Sequence, residues 1–228
     1  MILLDPQNPV FPSYESTDST GIIAVGGKID VSTLLLSYRQ GIFPWYNDEL
    51  PLWWNPDPRF VLYPEELKIP KSMRSYFNQG KYSVTFNQNF REVMIRCRDK
   101  KRKGQGGTWI NDRFIEAYTE IHHMGHALSV EVYDGDHIVG GLYGVLLGKI
   151  FYGESMFTDM PNASKYGFIS LVRHLRKAGI TIIDCQQETP LLGSLGARNI
   201  ARNKFMEYIV SNRGVENHDT YNYLSSIR

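Results

Sequence analysis

Short apolar segments, divided by glycine-containing turns, fill the middle of the chain. The turns fall at residues 134–136 and 148–149, where the sequence reads Asp-Gly-Asp and Gly-Lys. Apolar segments at this spacing predict strands that pair as an antiparallel meander. We expect its three strands at residues 127–133, 137–147 and 150–152.

A helical pattern follows the meander and leads into another strand. Asn162 fits an N-cap, and Gly179 fits a C-terminal stop. Between them, apolar residues recur at helical spacing: they are Phe168, Leu171, Val172 and Leu175. Residues 180–183 are almost wholly apolar, which is typical of a buried central strand. The pattern therefore predicts a strand, helix, strand unit.

Polar side chains are expected where the two strands of this unit end. Glu154 comes after the first strand, and Asp184 and Gln186 come after the second. Gly153 before Glu154 lets a ligand or another chain approach the backbone closely. Strand ends hold side chains rigidly and face the crevice where open sheets bind ligands. We predict a site here.

The N-terminal part of the chain has a weaker pattern. Residues 1–29 are rich in Pro, Ser, Thr and Gly and predict an irregular segment with a short strand at 21–25. A short helix is expected between residues 30 and 41. We divide the chain into a small N-terminal domain, residues 1–62, and a larger domain, residues 63–228.

Three tryptophans, Trp45, Trp53 and Trp54, lie within ten residues. They could form the aromatic core of the N-terminal domain or a platform on which nucleic-acid bases stack. The residue pattern alone favours the core.

Basic residues are concentrated in two stretches. The first contains Lys68, Lys71 and Arg74, and the second contains Arg96, Arg98, Lys100, Lys101, Arg102 and Lys103. The second stretch continues the polar face of a helix predicted from residue 87. Such clusters are candidates for phosphate binding, but a charged run is more often a solvated face.

The composition of the chain narrows the classes of protein to which it could belong. The chain has 228 residues, of which 42% are hydrophobic, enough for a sizeable core. A net charge of +1 is too small for a protein that coats nucleic acid through its overall positive charge. An anionic partner would therefore have to bind to local basic patches. The chain has neither an apolar run of about 18 residues nor a basic-then-apolar leader, which predicts a soluble, cytoplasmic protein without a membrane partner.

Neither a disulfide framework nor a metal site is predicted. The two cysteines, Cys97 and Cys185, lack paired spacing. His122 and His126 stand four residues apart, but Gly125 breaks the helical geometry and no third ligand is suitably spaced.

The order of elements, two helices, a meander, a helix and a strand, matches N-acyltransferases of the acetyltransferase type. The predicted fold class is therefore α/β (α+β) with a mixed sheet. Acetyl-CoA enzymes of this type bind the pyrophosphate with a basic, glycine-rich loop between a strand and a helix. The nearest match, residues 101–106, follows a helix instead, so CoA is not the expected donor.

Seven short motifs occur over about residues 21–210. They are Gly41-Ile-Phe-Pro-Trp45, Trp53-Trp54-x-Pro-Asp-Pro-Arg59, Gly107-Thr-Trp-Ile110, Gly153-Glu-Ser-Met-Phe157, Asn162-Ala-Ser-Lys165, Asp184-Cys-Gln186 and Ser194-Leu-Gly-Ala197. In this order they resemble the leucyl/phenylalanyl-tRNA-protein transferases. The resemblance implies a small N-terminal domain and an acetyltransferase-like C-terminal domain. It also implies transfer of Leu, Phe or Met from aminoacyl-tRNA to the N-terminal amine of proteins beginning with Arg or Lys, which marks them for degradation.

The resemblance also implies roles for individual residues. The terminal adenosine of tRNA would lie against Trp45 and Trp109, with Tyr38 and Tyr118 nearby, which replaces the core interpretation for those two tryptophans. Trp53 and Trp54 stay core residues. The aminoacyl side chain would enter a pocket formed by Leu142, Gly153, Met156, Phe168, Leu171, Leu175 and Ile183. Leu191 departs from the family, where many members have His, so no role is carried over to it.

The implied chemistry needs neither ATP, a metal nor another cofactor, because an aminoacyl ester is already activated and an α-amine is partly neutral near pH 8. Asp184 would orient Gln186 and accept charge, and the Gln186 amide would contact the reacting centre. Glu154 would bind the positive charge of the acceptor peptide. The two basic stretches would bind the phosphates of the tRNA acceptor stem.

Two alternatives stay open. A CoA-dependent N-acyltransferase would be protected from heat by acetyl-CoA. A non-catalytic tRNA-binding module would bind charged and uncharged tRNA alike. We expect a monomer.

Overall fold

The computed structural model describes residues 2–46, 50–100 and 109–227. These ranges form two β-sheets and eight α-helices. The strands are β1 (Ile2–Leu4), β2 (Ile22–Gly26), β3 (Phe43–Tyr46), β4 (Pro51–Trp54), β5 (Arg59–Leu62), β6 (Ser83–Phe86), β7 (Ala127–Asp134), β8 (His137–Leu147), β9 (Ile150–Thr158), β10 (Ile182–Gln186) and β11 (Arg198–Ile200). The helices are α1 (Val31–Tyr38), α2 (Lys71–Asn78), α3 (Phe90–Asp99), α4 (Asp112–His123), α5 (Ala163–Lys177), α6 (Pro190–Ser194), α7 (Arg202–Ser211) and α8 (His218–Ser225).

The larger sheet has seven strands in the order β11, β5, β10, β9, β8, β7, β6. β9 and β10 are parallel, and their crossover contains α5. The other neighbouring strands are antiparallel. The mixed sheet and the meander, helix, strand order confirm the predicted α/β (α+β) fold class with a mixed sheet.

The apolar side chains of the larger sheet alternate between its two faces, as the pleat of a strand requires. Val145 and Leu146 belong to different core clusters, as do Ile182 and Ile183. α3, α4 and the smaller sheet pack in one cluster, while α2, α5 and α8 pack in the other. The larger sheet therefore lies between two layers of the core.

The smaller sheet has the order β1, β2, β4, β3, and only β2 was predicted from the sequence. It contains the tryptophan-rich segment. Trp53 is completely buried, and its indole N–H donates to the carbonyl oxygen of Gly26 at 2.9 Å. Trp54 is partly buried against the same core. The core interpretation of these two residues is confirmed.

Two predicted strand ends were wrong. β9 runs to Thr158, so Gly153 and Glu154 lie inside the strand instead of at its end. β10 begins at Ile182 and includes Asp184 and Gln186. The apolar pattern stops early in both strands because their last residues face a cavity and a buried ion pair, which are described below.

The domain boundary at residue 62 stays a prediction. β5 lies on its N-terminal side and pairs with β10 and β11 in the larger sheet. None of the described helices is long and apolar enough to cross a membrane.

Candidate active site

A cavity of about 380 Å³ is bordered by β3 of the smaller sheet and β8, β9 and β10 of the larger one. We call it the central pocket. Its apolar lining residues are Phe43, Pro44, Leu142, Phe151, Gly153, Met156, Phe168, Ile183, Leu191 and Leu192. Aromatic, polar and thiol groups complete the lining, namely Trp45, Trp109, Tyr143, Glu154, Ser155, Cys185, Gln186, Gln187 and Thr189.

Glu154 and Gln186 form the polar centre of this pocket. The parallel register pairs Tyr152 with Asp184, so the residues two positions further along each strand come together. The side-chain amide of Gln186 donates to Glu154 Oε1 at 2.7 Å. The sequence prediction of two polar strand residues meeting at one site holds for this pair.

A local backbone irregularity directs Gln186. The pairing of β10 with β5 shifts register between Asp184 and Gln186. Gln186 has a φ of 62°, in the left-handed region that a residue with a Cβ rarely adopts. Its backbone N–H donates to Asp184 Oδ1 at 3.0 Å, which holds this conformation. The Asp184 carboxylate therefore fixes the backbone from which the Gln186 side chain extends.

Asp184 itself does not line the central pocket. It is completely buried and forms a two-bond ion pair with the equally buried Arg59. Arg59 Nε donates to Asp184 Oδ1 at 2.8 Å, and Nη2 donates to Oδ2 at 2.6 Å. The rings of Phe43 and Phe205 lie 4.7 and 4.5 Å from the guanidinium carbon. The expectation that Asp184 lies at the reacting centre needs correction, because it supports Gln186 from within the core.

The sequence analysis named Arg59 only as the end of a motif and gave it no role, although a signal for its pairing existed. Arg59 begins the otherwise apolar strand β5, and Asp184 follows two isoleucines in β10. Charged residues are almost never fully buried unless they are paired. A single cation in one apolar strand and a single carboxylate in another therefore predict that the two side chains form an ion pair.

Two tyrosines lie behind Glu154. The Tyr118 hydroxyl donates to Glu154 Oε2 at 3.3 Å, and the hydroxyl oxygens of Tyr118 and Tyr38 are 2.5 Å apart. Burial, followed by the charge of Glu154, raises the pKa of both tyrosines well above the ordinary value. Both rings are completely buried, so they have no face free to stack on an adenosine. Their position serves Glu154 instead.

The environment of Glu154 favours its neutral form more than water does. Burial raises its pKa to about 7, and repulsion from the Asp184 carboxylate acts in the same direction. Hydrogen bonds from Tyr38, Gln186 and Tyr118 oppose this rise because they stabilise the carboxylate. Glu154 thus titrates near neutral pH.

Trp45 and Trp109 are partly exposed and both line the central pocket. The Trp45 ring packs edge-on against Trp54 at 5.7 Å, and the Trp109 ring packs edge-on against Phe114 at 5.1 Å. Both rings are supported from behind and open to the pocket, as a stacking role requires.

Five of the seven predicted pocket residues line the cavity: Leu142, Gly153, Met156, Phe168 and Ile183. Leu171 and Leu175 do not, because they are completely buried in the core cluster around α5. The sequence missed Phe151, Cys185 and Leu192, whose apolar character reads equally well as core. Leu191 was noted only for its departure from the family.

The two basic stretches differ in structure. Arg96 pairs with Glu92 and Asp159, Lys100 pairs with Asp159, and Arg98 pairs with Asp99 and Asp112. In contrast, Lys68, Lys71 and Arg74 are exposed and form no ion pair within the described part of the chain. Lys101, Arg102 and Lys103 lie outside the described residues. The first stretch therefore has more charge available for a phosphate.

The histidine pair has other partners. His122 Nδ1 donates to the carbonyl oxygen of Ala127 at 2.8 Å, and His126 Nδ1 donates to Asn217 Oδ1 at 3.0 Å. Over residues 2–46, 50–100 and 109–227, no three His, Cys, Asp or Glu side chains are grouped to hold a metal ion.

Comparison with known proteins gives consistent matches over most of the chain. A family model described as Leucyl/phenylalanyl-tRNA protein transferase matches residues 61–210, and a model of the N-terminal domain of that transferase matches residues 27–57. A protein of that name from Christiangramia forsetii is 49% identical over 213 residues, or 92% of this chain and 100% of that protein. Another from Flavobacterium johnsoniae is 49% identical and covers 88% of this chain and 95% of that protein. A solved GCN5-related N-acetyltransferase from Kribbella flavida is 8% identical, with a TM-score of 0.39 over 64% of this chain and 55% of that one.

Proposed function

Because the chain belongs to the leucyl/phenylalanyl-tRNA protein transferase family, we propose that it transfers Leu, Phe or Met from aminoacyl-tRNA to a protein. The acceptor is the N-terminal α-amine of a protein that begins with Arg or Lys, and the product is marked for degradation. One observation of the fold carries this proposal: apolar lining residues, two open tryptophans and the Glu154–Gln186 pair share one pocket. Transfer of labelled leucine from Leu-tRNA to a peptide tests it.

The pocket suits a reaction in which positioning dominates. An aminoacyl ester carries its own activation, so the protein needs to bring the amine to the ester carbon and stabilise the charge that develops. In our proposal the terminal adenosine stacks on Trp45 and Trp109. The amino-acid side chain lies against Leu142, Met156 and Phe168.

Gln186 and Glu154 face the reacting groups in this arrangement. The Gln186 amide has two N–H donors, and one of them is used by Glu154. The other is available to the oxygen of the tetrahedral intermediate. The Glu154 carboxylate attracts the α-ammonium of the acceptor, and Asp184 acts only through the backbone of Gln186.

The space beside the apolar wall of the central pocket should determine how well Phe is transferred relative to Leu. Leu142 and Met156 are opposite each other on β8 and β9, and both line the pocket. Replacing Leu142 with Phe should reduce Phe transfer about 10-fold more than Leu transfer, because the larger donor side chain needs that space. The measurement is the ratio of kcat/KM for Phe-tRNA and Leu-tRNA.

Leu175→Phe is the matched control. Leu175 is completely buried behind the lining residues, so the same change should lower the stability by about 1–3 kcal/mol and leave the donor ratio unaltered. An equal shift of the ratio in both variants would contradict the assignment of Leu142 to the pocket wall.

Phosphate binding should depend on Lys71 and Arg74. A cation that binds a phosphate releases counterions, so each such cation steepens the fall of log affinity with log salt. The double variant Lys71→Ala, Arg74→Ala should reduce that slope for tRNA by about 2, or about 1 for each cation that is replaced. Fluorescence titrations with tRNA at several salt concentrations measure it.

Arg98→Ala serves for comparison, since Arg98 is already paired with Asp99 and Asp112. It should change the slope less than either single replacement in α2. A slope that the double variant in α2 leaves unaltered would show that Lys71 and Arg74 are solvated charges only.

Two other functions are distinguished by direct tests. A CoA-dependent N-acyltransferase would be stabilised against heat by acetyl-CoA. A tRNA-binding module would bind charged and uncharged tRNA equally and transfer nothing. Residence in the cytoplasm and a monomeric state are further expectations of this proposal.

A further inference from the structure

The transfer reaction removes protons from the acceptor nitrogen, and few groups in the central pocket can accept one. Its described lining residues include three ionisable side chains, Tyr143, Glu154 and Cys185. Phenols and thiols ionise only in alkaline solution, and burial raises the pKa of the Cys185 thiol further. All six histidines are described, and none of them lines this pocket.

Asp184, the other carboxylate of β10, is not available for this task. Both of its oxygens accept hydrogen bonds from Arg59, and one also accepts the backbone N–H of Gln186. It has no exposed surface. Protonating Asp184 would leave the Arg59 guanidinium buried without its counter-charge, which is costly.

We infer that Glu154 is a catalytic base that accepts a proton from the acceptor's α-ammonium, an inference that rests on the proposed transfer function. A carboxylate can accept about four hydrogen bonds. The contacts from Gln186, Tyr118 and Tyr38 occupy three of these positions. The remaining capacity is open to an ammonium group in the pocket.

The acidity of Glu154 suits this role. Its pKa, raised by burial to about 7, is close to that of an α-amine, about 7.7–8.0. A base is most effective when its pKa lies near the working pH and near that of its partner. A carboxylate with the ordinary pKa of a glutamate would take this proton much less readily.

The groups around Glu154 do not compete for the proton near neutral pH. Tyr38 and Tyr118 have strongly raised pKa values and stay neutral donors. The charges of Asp184 and Arg59 neutralise each other in their ion pair. The ionisable groups that surround Glu154 belong to α1, α4, β5, β8, β9 and β10, and they are Tyr38, Tyr118, Arg59, Tyr143, Tyr152, Asp184 and Cys185.

The proton balance of the reaction is complete with these groups. Glu154 takes one proton from the α-ammonium, and the neutral amine attacks the ester carbon to form the C–N bond. The carbonyl oxygen carries the negative charge while the nitrogen is again positive. Collapse of this intermediate breaks the bond to the ribose oxygen, which leaves with the second proton from nitrogen. Glu154 returns its proton to solvent.

The pH dependence of Glu154→Gln tests this inference. The wild-type kcat/KM should rise to a plateau through about pH 7, where Glu154 ionises. The variant lacks this base and reacts only with peptide whose α-amine is already neutral. Its activity should therefore keep rising through about pH 8, where the α-amine loses its proton. We expect a loss of about 10²-fold at pH 7 that shrinks several-fold by about pH 9. Initial rates with Leu-tRNA and an Arg-starting peptide give both profiles.

A role in holding only the charge of the peptide's N-terminal Arg side chain, which stays ionised over this whole pH range, predicts a different result. The loss would then appear mainly in KM for the peptide and would not shrink as the pH rises. A constant loss across this range, with wild-type transfer intact, overturns the base assignment but leaves the transfer function standing. Glu207→Gln, an exposed replacement on α7 outside the pocket, should reproduce the wild-type profile. Absence of transfer in the wild type would instead remove the proposed function itself.

Discussion

Replacing Asp184 with Asn is expected to lower the free energy of unfolding by about 3–5 kcal/mol, because it leaves the buried Arg59 guanidinium without a counter-charge. Turnover should fall far more than tRNA affinity, since the change disturbs the acceptor of the Gln186 backbone N–H and not the phosphate-binding surface. Denaturant unfolding, steady-state kinetics and tRNA titration measure the three quantities.

Asp159→Asn is the matched control for stability. Asp159 pairs with Arg96 and Lys100, but these two cations are partly exposed. Exposed pairs contribute only about 0–1 kcal/mol. A loss as large as that of Asp184→Asn would show that the depth of burial does not decide the effect.

The double variant Arg59→Met, Asp184→Leu separates stability from function. It removes both charges at once, so much of the stability should return. Turnover should stay low, because Gln186 has lost the acceptor that holds its left-handed backbone. Recovery of full turnover would contradict a positioning role for this ion pair.

Replacing Gln186 with Ala should lower kcat by about 10²-fold, the loss typical of removing one preorganised donor from an intermediate. Alanine has a Cβ as glutamine does, so the backbone at a φ of 62° is about equally strained in both. The unfolding free energy and tRNA affinity should therefore change little. Single-turnover transfer measures the effect without a contribution from product release.

Gln79→Ala provides a comparison, because Gln79 lies exposed at the end of α2 and its amide contacts only Ser75 among the described side chains. It should leave kcat unaltered. A Gln186→Ala variant with a wild-type single-turnover rate would remove Gln186 from the reaction.

The general plan of the larger sheet could be predicted from the sequence because its strands are regular. The meander from β7 to β9, the helix α5 and the apolar strand β10 follow simple periodicities and end at glycines or turns. The polar side chains at residues 154 and 186 also came together as expected. Hydrophobic periodicity predicts strands and helices well where core packing alone determines which residues occur.

The pattern failed where residues serve a pocket or a buried charge. Gly153 to Ser155 interrupt the apolar alternation of β9 although the strand continues, because they line the cavity. The pairing of Arg59 with Asp184 spans 125 positions, and no local periodicity reports such a contact. Leu175 shows the reverse error, since periodicity cannot separate a lining leucine from one packed behind the wall.

The N-terminal strands were hidden by their composition. β3 and β4 are rich in Trp and Pro, and the sequence alone favoured an aromatic core without assigning strands there. The structure divides the tryptophans between both interpretations: Trp53 is buried, while Trp45 lines the pocket. Only the register of these strands could make that distinction.

Transfer of radiolabelled leucine from Leu-tRNA to a peptide beginning with Arg is the most direct measurement. We expect labelled peptide with the free N-terminus and none with the same peptide acetylated at its α-amine, because the neutral, free amine is the attacking group. Phe-tRNA and Met-tRNA should also act as donors. Unlabelled peptide under conditions where the protein binds Leu-tRNA, or acetylation of the peptide by acetyl-CoA in place of leucine transfer, would contradict this function.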